Sequence, residues 1–110
     1  MDIEQNLKDS LLLEIYGKLL TEKQREILSE FYNDNISISE IAEGHNSTRQ
    51  AVNDLIKRSV KVLNDYETKL GLLDRFNKIK ATVSDALNNI NGDFDKEYVI
   101  SCLNKILEDM

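Results

Sequence analysis

Apolar residues recur at helical spacing along nearly all of this chain, and no proline interrupts them. Ile3, Leu7, Leu11, Ile15 and Leu19 follow near-heptad steps, and Leu12, Leu13, Tyr16 and Leu20 broaden that stripe. Leu72, Phe76, Ile79, Val83, Ala86 and Ile90 alternate steps of four and three, flanked by Leu73 and Leu87. Such spacing lines one face of an α-helix, whereas a half-buried strand needs strict alternation. The chain therefore reads as all-α, with a core chiefly of Leu, Ile and Val because tryptophan is absent.

The breaks between helices are chemical. Thr21-Glu22-Lys23-Gln24 has the form of a capping box, opening a helix over about 22 to 33 with Ile27, Leu28, Phe31 and Tyr32 inward. Asn33-Asp34-Asn35 ends it, since short polar side chains compete for backbone hydrogen bonds. Ser37-Ile38-Ser39-Glu40 forms a second box before a short helix that stops at Gly44-His45-Asn46. Thr48, or as the alternative Ser47, caps the next helix, which buries Val52, Ile56 and Leu63 and meets no strong stop before Gly71. Asn91-Gly92 ends the seam. A last helix over about 95 to 108 is expected to bury Tyr98, Val99, Cys102, Leu103 and Ile106, with Phe94 as a staple.

A chain of 110 residues suits a core domain over 1–70 and a helical extension over 71–110, packed on the core or on a dimer partner. The formal net charge of -6 argues against a globally basic nucleic-acid binder. Between 37 and 65, however, Arg49, Lys57, Arg58 and Lys61 balance Glu40, Glu43, Asp54 and Asp65, so this region is locally neutral. Cys102 is the only cysteine, which excludes an intrachain disulfide. No apolar run approaches the roughly 20 residues of a membrane span, and a cytoplasmic location is expected.

Residues 37 to 57, SISEIAEGHNSTRQAVNDLIK, carry the most information. A helix-turn-helix needs a short first helix, a small residue where the helices cross, a tight turn and a polar cap. Ala42 supplies the small contact, Asn46 suits a left-handed turn position, and Thr48 supplies the cap. Ile41, Val52 and Ile56 form the apolar triangle between the helices. Gln50, Asn53, Lys57 and Lys61 then fall opposite Val52 and Ile56, on the solvent side, with Thr48 and Arg49 at the exposed N-terminal end. These six residues are the candidate nucleic-acid contacts, since Arg can pair with guanine and Gln or Asn with adenine. Asp54 points partly to the same side and opposes phosphate.

Residues 19 to 70 resemble the YlxM-like family of small bacterial helix-turn-helix proteins, itself similar to region four of sigma factors. The resemblance rests on LLTEKQ (19–24), SISEIAE (37–43), RQAVNDLIKR (49–58) and LNDYETKL (63–70), with LLLEIYGK (11–18) fitting the family's opening helix. It implies a wing-free, sigma region four-like helical protein that dimerises, with a gene beside those of the signal recognition particle GTPases. It therefore implies a regulatory role in that pathway. The partners it suggests are promoter DNA, the particle's RNA or the particle's protein subunit, the last making the chain a non-enzymatic adapter. Gly44, His45 and Ser47 depart from the family pattern at the turn, where Glu often stands at the position of Gly44 and bulky, apolar residues are usual at those of His45 and Ser47. The departure predicts a less rigidly held recognition helix.

No glycine-rich phosphate loop, nucleophile elbow or paired-carboxylate arrangement is present, so no catalytic site and no cofactor are expected. His45 reads as a solvated turn residue, because a metal site needs about three or four converging ligands. Cys102 lies on an apolar face without a sequence-adjacent base and reads as buried filler.

Overall fold

A computed structural model describes residues 3–110, so the first two positions of the expected core domain lie outside the described residues. It contains α1 (Ile3–Tyr16), a 3-10 turn (Gly17–Leu19), α2 (Glu22–Tyr32), α3 (Ile38–Gly44), α4 (Arg49–Leu70), α5 (Leu72–Asn91) and α6 (Lys96–Asp109). The fold is all-α, with no strand among the described residues. The chain divides into two compact units, Met1–Leu70 and Gly71–Met110.

In the first unit α4 is the central element, packed by α1, α2 and α3. Leu12, Tyr16, Ile27, Leu28, Ile41, Val52 and Leu63 are essentially removed from solvent. Burial of a Leu or Ile side chain contributes about 1.5–3 kcal/mol, so this cluster dominates the unit's stability. On α1 the buried face runs through Leu12, Leu13 and Tyr16. The expected near-heptad line lies on its edge, and Ile3 and Leu7 are exposed. A helix advances about 100° per residue, so the neighbouring line faces the core when packing selects it.

Polar contacts fasten the same unit. The Tyr16 hydroxyl donates to Glu67 Oε1 at 2.7 Å, and the Tyr16 ring stacks on Tyr66. Asp9 is buried, and its carboxylate accepts from Gln5 Nε2 at 2.8 Å and from the Tyr32 hydroxyl at 3.0 Å. Partial burial, followed by the hydrogen bond to Asp9 and that carboxylate's charge, pushes the Tyr32 phenol well above its ordinary value.

The second unit is a helical hairpin in which α5 and α6 pack together through the connection after Asn91. Asp95 caps α6, its carboxylate accepting from Glu97 N–H at 3.0 Å and, more weakly, from Tyr98 N–H at 3.5 Å. Leu73, Thr82, Ala86 and Cys102 are buried. The expected burial of Tyr98 and Leu103 is not met: both are exposed, as are Phe94, Phe76, Val83, Leu87 and Ile90. Two helices have one mutual interface, and a broad apolar stripe exceeds what one neighbour can cover.

Candidate nucleic-acid interface

The helix-turn-helix is built from the ends of α3 and α4. Ser37 opens α3, its hydroxyl accepting from Glu40 N–H at 3.2 Å. The returning bond from the Glu40 carboxylate, expected of a full capping box, is not made, and Glu40 is exposed to water. Upstream, Thr21 and Gln24 do make both bonds, at 3.2 and 3.0 Å.

The α3 terminus explains the sharp turn. Asn46 adopts φ 53°, the left-handed conformation that asparagine tolerates. Asn46 N–H then donates to Glu43 O at 3.3 Å and Ser47 N–H to Ala42 O at 2.8 Å. These paired bonds are those of a Schellman motif, which satisfies carbonyls that a helix end leaves open. One residue later the Thr48 hydroxyl accepts from Ala51 N–H at 3.0 Å and starts α4. Between the two helices Ile41, Ala42, Val52 and Ile56 are buried, which completes the apolar triangle and the close crossing.

The expected looseness of the turn has a local counterweight. His45 is not a solvated residue: its side chain is 16% exposed, and Nε2 lies 2.6 Å from Glu30 Oε2 on α2. A polar bridge therefore ties the turn to α2.

Thr48, Arg49, Gln50, Lys57 and Lys61 are exposed, and Asn53 is half-buried. At about 100° per residue, Arg49, Gln50, Asn53, Lys57 and Lys61 occupy an arc of about 120°. This arc flanks the stripe of Val52, Ile56 and Leu63 rather than lying opposite it. At a rise of about 1.5 Å per residue, Arg49 and Lys61 are about 18 Å apart along the axis. Lys61 lies 3.8 Å from Asp65, a solvent-exposed pair of little energetic weight.

Arg49, Gln50 and Asn53 share a shallow groove with Phe31, Ser37, Ile38 and Ser39, while Lys57 and Lys61 lie beyond it along the helix. Phe31, Ser37 and Ser39 are not evident as site residues from α4 alone, because they come from α2 and the start of α3. The Ser-x-Ser spacing at the cap is the signal that could have found the two serines. The groove combines a guanidinium, two amides, two hydroxyls and an aromatic edge. That set can hydrogen-bond base edges or phosphate oxygens and pack against a base or methyl group.

No helix among the described residues is long and apolar enough to cross a membrane. Residues 3–103 match a family model described as "Putative helix-turn-helix protein, YlxM / p13 like". Relatives extend along nearly the whole chain. The UPF0122 protein of Clostridium kluyveri is 39% identical, covering 98% of this chain and 100% of the relative. That of Fusobacterium nucleatum is 40% identical over 100% of this chain and 99% of its own length. That of Clostridium perfringens is 41% identical over 96% of this chain and 98% of its own. The buried triangle, the left-handed turn and the threonine cap thus stand in a chain that belongs to the YlxM/p13-like UPF0122 family of helix-turn-helix proteins.

Proposed function

We propose that this protein is a non-enzymatic, cytoplasmic regulator that binds nucleic acid through Thr48, Arg49, Gln50, Asn53, Lys57 and Lys61, in connection with the signal recognition particle pathway. The carrying observation is the groove at the start of α4, where Arg49, Gln50 and Asn53 lie together beside Ser37 and Ser39. Lys57 and Lys61 extend the same side of the helix as exposed cations suited to phosphate. Within a chain of net charge -6, α4 carries more basic than acidic residues, which favours the approach of an anionic polymer to this side.

The assembly supported by the second unit is a homodimer. Exposed Phe76, Val83, Leu87, Ile90 and Leu103 belong to a hairpin too small to cover them, and a second copy would place its own hairpin there. Two recognition helices in such a dimer would suit half-sites about 34 Å apart on duplex DNA.

A protein adapter is the second reading. It is favoured by the outer face of α2, where Glu22, Glu26, Glu30 and Asp34 line an acidic groove with Arg25. That groove suits a basic partner such as the particle's protein subunit. A mobility comparison of the particle's RNA with random duplex DNA tests the first reading. A retarded band for either polymer is expected, lost when Lys57 and Lys61 are both changed to Glu. Capture of the particle's protein that survives nuclease, without any shifted band, would instead support the adapter.

A further inference from the structure

We infer that Glu26, Glu30 and His45 form a binding site for a divalent first-row transition-metal ion, which fastens the helix-turn-helix turn to α2. One imidazole nitrogen and two carboxylate oxygens, one from each residue, all lie within 4.8 Å of one another. The three ligands come from two elements. Glu26 and Glu30 are one helical turn apart on α2, and His45 caps the end of α3.

Placement in α2 alone brings the two carboxylates together, at a small repulsive cost for like charges four residues apart. The fold then adds His45, whose Nε2 is 2.6 Å from Glu30 Oε2. The one imidazole contact serves a single carboxylate, that of Glu30, whereas a divalent cation balances both. The surrounding groove reinforces this, with Glu22, Asp34 and a single cation, Arg25, beside the pair.

Donor chemistry narrows the ion. Imidazole with carboxylate suits zinc, manganese and neighbouring ions, while no thiolate is present to favour copper(I). Zinc binds nitrogen and oxygen at about 2.0–2.2 Å, so tetrahedral ligands stand about 3.3–3.5 Å apart. The His45–Glu30 contact would open by less than about 1 Å to admit the ion, a side-chain adjustment. His45 and Glu30 are largely covered, and Glu26 is exposed, so the open side leaves room for water as a fourth ligand. The three ligands lie on α2 and at the end of α3, so the ion binds whatever α4 recognises.

The test uses the full chain freed of metal by chelation, titrated with zinc chloride, manganese chloride and magnesium chloride in separate calorimetric runs. Thermal denaturation is followed at each concentration. One equivalent of zinc or manganese is expected to bind and to raise the melting temperature as concentration increases. Magnesium, which prefers oxygen ligands, is expected to bind much more weakly. His45→Gln and Glu26→Gln should each weaken zinc binding about 10-fold or more. Glu26 is exposed, so Glu26→Gln should keep the metal-free melting temperature of the parent chain and separate lost ligation from lost folding. No binding of zinc or manganese, or binding unchanged in both variants, would overturn the site.

Discussion

Asp9 and Tyr32 are the pair on which a single atom has the clearest consequence. Asp9 is buried with two hydrogen-bond donors, one of them the Tyr32 hydroxyl at 3.0 Å. Tyr32→Phe would leave the carboxylate with one donor fewer, at a cost of about 1–3 kcal/mol read by urea unfolding. The phenol also links stability to alkaline pH. Its folded value lies above its unfolded value of about 10, so its contribution is full below pH 10. Above that the unfolded chain loses the proton first, and the contribution falls. Stability measured from pH 9 to 11 should therefore decline less steeply in Tyr32→Phe than in the parent. At the turn, Thr48→Ala should cost about 1 kcal/mol through loss of the α4 cap. Asn46→Gly should be close to neutral because glycine accepts the left-handed conformation at least as well.

Among the elements, α4 bears both stability and the proposed contacts, on two sides of one helix. Leu63 is fully buried, and Leu63→Ala should cost about 2–5 kcal/mol in denaturant unfolding. Lys57→Glu with Lys61→Glu should change stability by no more than about 0.5 kcal/mol per site, since both side chains are exposed. That contrast separates a folding defect from a binding defect. Much of α4 was legible in the sequence because its determinants are local: a threonine cap, a 3.6-residue apolar period and an asparagine at the turn. The boundaries of α2 and α5 were legible for the same reason. What escaped comes from pairs remote in sequence. Asp9 meets Tyr32 across 23 residues and His45 meets Glu30 across 15, and no periodicity encodes either meeting. The groove wall of Phe31, Ser37 and Ser39 escaped likewise, since it exists only once α2 and α3 lie against α4. The heptad line of α1 and the faces of α6 misled for a different reason. Apolar spacing marks a stripe without naming its neighbour, and Ile3, Leu7, Tyr98 and Leu103 stay exposed.

At the scale of the whole molecule, an acidic chain is proposed to hold an acidic polymer, and an apolar hairpin is proposed to hold its twin. Sedimentation equilibrium should give a dimer whose dissociation is promoted by Leu87→Asp with Leu103→Asp, at exposed positions of α5 and α6. A monomer at high concentration would remove the pairing. The most direct measurement is the affinity for the signal recognition particle RNA and for random duplex DNA across a salt series, in the parent and in the Lys57→Glu, Lys61→Glu variant. Phosphate contact predicts that log affinity falls linearly with log salt, by about 0.9 per duplex phosphate engaged, and that the variant loses binding. Affinity independent of salt, or equal in parent and variant, would contradict the assignment of the α4 polar side as the nucleic-acid surface.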